Sequence, residues 1–122
     1  MLIATLATLA TLSTPANAND LSPLRTAEAR VTILADSKGL SVYTFDNDTA
    51  GHSNCSGPCA AAWPPVEAPS GNLAAPLSVV VRDDGSRQIA FQGKPLYTFA
   101  RDRQPGDILG DGLHGRWHLV KP

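Results

Sequence analysis

The chain has 122 residues with 10 basic and 11 acidic side chains, which gives a formal net charge of −1. Neither sign dominates, so neither a polyanion nor an anionic membrane is implied as a partner, and no nucleic acid is expected. Ten glycines and ten prolines predict short elements joined by many turns, which favours an all-β fold.

The first segment, residues 1–18 (MLIATLATLATLSTPANA), is uncharged and ends on small residues at positions 16 and 18. This pattern is typical of a signal peptide cleaved after Ala18. The alternative is a buried N-terminal helix, since the segment has no basic residue. The first mature residue would be Asn19, where a lipid-anchored protein needs Cys. We therefore expect a periplasmic or secreted protein with no transmembrane segment in its mature form.

The remaining chain predicts a polar lead-in (19–30) and one β-rich domain (31–122), with one short helical turn at 59–63. Runs of β-branched and aromatic residues predict strands, and glycine-containing segments between them predict turns. We expect a hairpin (31–34 and 40–45), a meander (77–82, 87–91 and 95–99) and a last strand (116–120).

The chain also contains an internal duplication. GLSVYTFDND (39–48) returns as GKPLYTFARD (93–102), 54 positions further on. The same offset places Trp63 on Trp117, and these are the two tryptophans of the chain. The pattern predicts two pseudo-symmetric repeats of antiparallel strands, about 31–68 and 85–122, that share one small core. Under this offset Cys55 and Cys59 fall on leucines at 109 and 113, so we expect the second copy to pack leucines where the first has cysteines.

The repeated motif predicts a core at the middle of the molecule. Alternate residues of a strand share one face, so Tyr43 with Phe45, and Tyr97 with Phe99, should pack together with Trp63 and Trp117. A buried tyrosine needs a partner for its hydroxyl, and the repeated acidic residues just past the strand ends, Asp48 and Asp102, are candidates. They could instead cap the turns that follow.

Cys55 and Cys59 are four residues apart in CSGPC. In an exported chain this spacing favours a small disulfide loop. A redox-active pair and a soft-metal site are the alternatives. The CxxxC spacing differs from the CxxC of redox catalysts, which weakens the redox alternative.

A metal site is the most specific small-ligand hypothesis. The loop after the first Tyr-Thr-Phe strand contains five possible ligands: His52, Cys55, Cys59, Asp46 and Asp48. Oxygen ligands would favour calcium, whereas reduced sulfur with imidazole would favour copper(I). The loop around Asp46 and Asp48 only faintly matches a calcium loop, because position 57 is glycine where that loop needs a carboxylate. Other than this possible metal, no cofactor is expected.

The chain resembles the bacterial secreted repeat proteins of unknown function. The resemblance rests on 39–66 and 84–120, which between them contain Tyr-Thr-Phe-x-x-Asp, Cys-x-x-x-Cys and Trp-Pro-Pro elements. The resemblance covers about 30–121. It implies an exported, β-rich envelope protein and supplies no catalytic residue. We therefore expect a non-enzymatic binding or structural module, whose partner would be an envelope protein or wall component. The alternative is a periplasmic accessory protein that handles copper or calcium, or that acts in redox chemistry.

Overall fold

The structure is a computed structural model that describes residues 21–28 and 32–122. The predicted signal peptide lies outside these residues. Within the described part of the chain, no helix has the length and apolar character needed to cross a bilayer.

The described residues form mostly short strands in three small antiparallel sheets, which confirms the predicted β-rich fold. The first sheet pairs β1 with β2, the second pairs β3 with β7, and the third has the order β4-β5-β6. The elements in chain order are β1 (Arg25–Glu28), β2 (Thr32–Ala35), β3 (Tyr43–Phe45), α1 (Pro58–Ala62), β4 (Leu77–Val81), β5 (Arg87–Phe91), β6 (Lys94–Pro95), a 3₁₀ turn (Leu113–Gly115) and β7 (Trp117–Leu119).

The first sheet lies partly within the predicted lead-in. Strand β1 pairs along its whole length with β2, from Arg25 opposite Ala35 to residue 28 opposite Thr32. The sequence analysis did not anticipate β1, because its four residues show no run of β-branched or aromatic side chains. The predicted hairpin between 31–34 and 40–45 closes only near its turn, where Ala35 faces Ser41. Val42 still donates to the Leu34 carbonyl at 3.3 Å, and from Tyr43 onward the chain pairs with the second repeat.

The predicted meander forms the third sheet. Strands β4 and β5 pair over five residues, from Leu77 opposite Phe91 to Val81 opposite Arg87. The segment predicted as a strand at 95–99 is assigned to β6 at its first residue only. Further along, Tyr97 bridges to Tyr43 and to Pro65. The regular sheet therefore ends where the second tyrosine motif turns toward the first repeat.

The two repeats exchange strands. In the second sheet Tyr43 lies opposite Leu119, so the first motif strand pairs with the end of the second repeat. The matching contact is the bridge between Tyr97 and Pro65, which joins the second motif strand to the first repeat. At the centre Tyr43 and Tyr97 donate backbone hydrogen bonds to each other, with N–O distances of 2.7 and 3.0 Å. This reciprocal pair is the local centre of a pseudo-twofold arrangement.

The hydrophobic interior has two clusters. One is aliphatic and lies against β2 and β5, with Leu34, Val42, Ile89 and Leu96 among its buried members. The other consists of the repeated aromatic rings with Cys55. The aromatic cluster lies where the two repeats exchange strands, and it positions the loops that carry the candidate functional residues.

Candidate functional site

The motif rings of the two repeats form one continuous stack. Trp63 and Trp117 lie face to face with ring centroids 3.7 Å apart and an interplanar angle of 2°. Phe99 stacks on Trp63 and Phe45 stacks on Trp117, each with centroids 4.2 Å apart. The two indoles are 5 % and 3 % exposed. Each tryptophan therefore stacks on the phenylalanine of the other repeat, and both rings of the central pair are withdrawn from solvent.

The two motif tyrosines also cross between the repeats. Tyr43 donates a hydrogen bond from its hydroxyl to Asp102 Oδ2 at 2.6 Å, and Tyr97 donates to Asp48 Oδ2 at 2.7 Å. The other carboxylate oxygen of each aspartate accepts a backbone N–H, from Leu109 for Asp102 and from Asn54 for Asp48. Each motif aspartate thus joins the tyrosine of the opposite repeat to its own following loop.

Burial alters the acidity of these groups. Burial, with the hydrogen bond to Asp102, raises the pKa of Tyr43 above its ordinary value of 10.0. Burial raises the pKa of Tyr97 to about 12. Burial also raises the pKa of Asp48, against the opposing effect of the Asn54 N–H that it accepts. The phenols therefore remain protonated over the whole physiological range and act as hydrogen-bond donors.

In the part of the chain that the structure describes, a polar network surrounds Tyr97 and has no counterpart around Tyr43. The Tyr97 hydroxyl lies 2.5 Å from Ser53 Oγ. Since the single phenol proton goes to Asp48, Ser53 donates in this pair. Arg82 donates to Ser53 Oγ and to Gln88 Oε1, at 2.9 and 2.8 Å. Sequence reasoning missed Arg82 and Gln88 because neither belongs to the duplicated tyrosine, aspartate and tryptophan motif. The sequence signal that could have found this network is a glutamine within a predicted strand, since Gln88 is fully buried and needs polar partners.

The predicted disulfide is present. Cys55 and Cys59 are bonded, with their α carbons 5.2 Å apart, inside the range of about 4.4 to 6.8 Å that disulfides require. Helix α1 begins at Pro58, between the two cysteines, and Trp63 follows its last residue. The Cys55 carbonyl also accepts a hydrogen bond from Arg82. The loop therefore fixes the start of the helix that leads to Trp63.

The leucines predicted to replace the cysteines do not pack in the same way. Leu113 is partly buried against the aromatic cluster, but Leu109 is 61 % exposed. The hydrogen bonds show why: the N–H that reaches the motif aspartate belongs to Asn54 in the first repeat and to Leu109 in the second. Leu109 thus matches Asn54, and the buried position next in the chain, Cys55, is matched by Gly110. The constant offset of 54 fails inside this loop.

Gly110 is required at that position by the tryptophan stack. A Cβ on Gly110 would lie 2.5 Å from Cη2 of Trp63, which is too close for any real contact. Its N–H donates to the Tyr43 hydroxyl at 3.3 Å. In the second repeat the backbone of Gly110 therefore lies against the Trp63 ring, whereas the first repeat has the side chain of Cys55 at the matching position.

The structure separates the residues predicted to bind a metal. His52 lies 3.8 Å from Asp83, and the Asp46 carboxylate accepts a hydrogen bond from Nε2 of His118 at 2.8 Å. Asp48 is engaged by Tyr97 and Asn54, and both sulfurs are in the disulfide. Among the described residues, no group of three or more His, Cys, Asp or Glu side chains is placed to hold a metal ion.

Comparison with known proteins identifies the family. Residues 31–67 and 78–121 each match the repeat described as a secreted repeat of unknown function, and the chain belongs to this family. The two matched segments agree with the duplication found in the sequence. Neither the curated proteins nor the solved structures give a match. The family, together with the disulfide, supports an exported protein.

Proposed function

We propose that this protein is a non-enzymatic module of the cell envelope that binds a partner through its surface loops. One observation carries the proposal: the reactive side chains of the repeated motif and of the cysteine loop are bonded to one another. Both phenols donate to aspartates and both sulfurs are joined. An active site needs acids, bases or nucleophiles that face a substrate. Here the phenols, carboxylates and sulfurs bond to groups of the protein itself and stabilise its fold.

The surface provides clefts of the size that ligands occupy, about 300 to 1,000 Å³. One cleft of about 340 Å³ lies between the 36–40 turn and Pro65–Glu67, with Asp36 and Lys38 at its rim and Leu24 and Ile89 in its wall. A second, of about 620 Å³, lies beside Trp63 and Leu109. Loops on a rigid scaffold are the usual location of binding residues.

Photo-crosslinking in the producing cells tests the proposal. A photoreactive amino acid is placed in turn at exposed positions that line the clefts, Lys38, Glu67 and Arg101, and at Ser70, which lies in an exposed loop outside them. The expected result is a discrete adduct from one cleft, competed by excess unlabelled protein, with no adduct from Ser70. The absence of a competed adduct at all three cleft positions would overturn the proposal.

The alternative, a copper, calcium or redox accessory protein, has less support because the cysteines form a disulfide and the candidate oxygen ligands are dispersed. Calorimetric titration of the protein with calcium, and of its reduced form with copper(I), tests it. Saturable heat that is lost in His52→Ala would move the function to metal handling.

A further inference from the structure

The groove beside Leu109 combines apolar walls with basic groups at its rim. Its walls are apolar and are formed by the edges of Trp63 and Phe99 together with Leu109 and Leu113, and Arg101 and His114 lie at its rim. No acidic side chain of the described residues lines it. Among the described residues, the two exposed large hydrophobic side chains are Leu109 and Val81.

Both rim groups are available to a ligand. Among the described residues, neither the Arg101 guanidinium nor the His114 ring takes part in a salt bridge, since the two that occur join other histidines to aspartates, and neither side chain makes a hydrogen bond. His114 has a φ of 54°, in the left-handed region that residues with side chains seldom adopt. Residues in such conformations persist only where the surrounding structure compensates for the strain, and they occur preferentially at active and ligand-binding sites.

In the first repeat, polar side chains fill the position that corresponds to the groove. The position that matches Arg101 is Asn47, whose side-chain oxygen accepts a hydrogen bond from Arg116 at 2.5 Å. Asn54, which matches Leu109, donates from its side chain to the Asn47 carbonyl at 2.7 Å. The polar groups of Asn47 and Asn54 are thus satisfied by each other and by Arg116 of the second repeat. In the second repeat an exposed leucine and an unpaired arginine stand in their place.

From this contrast we infer that the Leu109 groove binds a peptide segment of a partner protein that presents an apolar side chain beside a carboxylate. The apolar side chain would cover Leu109 and the ring edges, and the carboxylate would pair with Arg101 and approach His114. Bidentate pairing with carboxylates is what arginine provides. The inference rests on the proposed binding function and assigns it a surface and a partner chemistry.

A lipid surface fits these observations less well. Binding to an anionic bilayer needs several basic residues close together, whereas the groove has one arginine and one histidine and the whole chain has a net charge of −1. The groove has a volume of about 620 Å³, within the range of sites that enclose small ligands or side chains.

The test uses the full chain in its oxidised form and a displayed library of random peptides. The expected result is selection of peptides that pair Leu or Phe with Asp or Glu. Leu109→Ser and Arg101→Glu should each weaken binding at least tenfold, whereas the matched controls Val81→Ser and Arg103→Glu should change it less than twofold. All four side chains are exposed, so we expect each variant to keep the fold. Near-ultraviolet circular dichroism of each variant checks this.

Three outcomes would overturn the inference: no peptide selected, selected peptides without an acidic residue, or equal binding by Leu109→Ser. Binding to phosphatidylglycerol vesicles that Leu109→Ser abolishes would also overturn it, in favour of a lipid surface. A competed crosslink from Lys38 or Glu67, together with failure of the peptide test, would leave the proposed binding function intact and reject only this surface.

Discussion

At the scale of single residues, the crossed tyrosine and aspartate pairs are alike in geometry but differ in environment. Asp102 is 4 % exposed, whereas Asp48 is half-buried and its tyrosine partner also contacts Ser53. Removing one hydroxyl leaves a carboxylate oxygen without its donor. The free-energy cost depends on whether water or another donor can reach that oxygen.

We therefore expect Tyr43→Phe to destabilise the protein more than Tyr97→Phe does. The first change leaves a buried oxygen of Asp102 without its donor and should cost about 1.5 to 3 kcal/mol. The second should cost about 1 kcal/mol, because Asp48 is only half-buried and water can reach its oxygen. Urea unfolding of both variants and the wild type measures the difference. An equal or larger loss in Tyr97→Phe would contradict the expectation.

The raised phenol pKa values predict loss of stability in alkali. The folded protein keeps both tyrosines protonated, while the unfolded chain ionises them near the ordinary value of 10.0. The stabilisation is complete below that pH and is lost as the pH rises from 10 toward the raised values, because the unfolded state then binds fewer protons. The chain has two tyrosines, so phenolate absorbance should appear together with loss of circular dichroism. Phenolate formed near pH 10 in folded protein would contradict this.

At the scale of elements, the disulfide loop holds the start of α1 and hence the approach to Trp63. The ring closed by Cys55 and Cys59 spans a sequence separation of 4, and loop-closure entropy for so short a ring is worth about 2 kcal/mol. The aromatic stack is held independently by contacts between the repeats.

The double variant Cys55→Ala, Cys59→Ala should therefore fold with its tryptophan environment intact and lose about 2 kcal/mol of unfolding free energy. Urea unfolding followed by tryptophan fluorescence measures both properties. The wild type in reducing agent is the matched comparison and should show a similar loss. A variant that does not fold would show that the loop is needed for the stack to form.

The sequence predicted those elements whose signals are local. The runs that became β4 and β5 contain β-branched and aromatic residues on either side of a glycine-containing turn. The duplication was visible because both tyrosine motifs and both tryptophans share one spacing. Strand β1 was missed because its stability comes from pairing with β2 and not from its own residues. The sequence also predicted an aspartate partner for each tyrosine, but it gave no information on which repeat would supply it.

The loop of the second repeat was misread for a related reason. A constant offset places Leu109 on Cys55, whereas the hydrogen bonds to the motif aspartates place Gly110 there. A one-residue shift inside a loop leaves the flanking tyrosine and tryptophan in register, so the sequence alone does not reveal it. The consequence is an exposed Leu109 at the edge of the groove for which we infer a peptide ligand.

At the scale of the whole molecule, each repeat depends on the other for its interior. The central stack joins Trp63 to Trp117, the crossed pairs join each tyrosine to the aspartate of the opposite repeat, and β3 pairs with β7. A single repeat would expose its ring faces and leave its motif strand unpaired. Duplication here creates one cooperative unit in place of two independent ones.

Cutting the chain in the exposed segment between Ser70 and Gly71 tests this dependence. Each half alone should be unfolded, because neither can bury its tryptophan or bond its tyrosine, and the mixed halves should recover the circular dichroism of the intact chain. Because the nicked protein is held by non-covalent contacts, its melting temperature should rise with concentration, whereas that of the intact chain should not. Cooperative unfolding of either half by itself would show that the repeats are separate folding units that merely lie against each other.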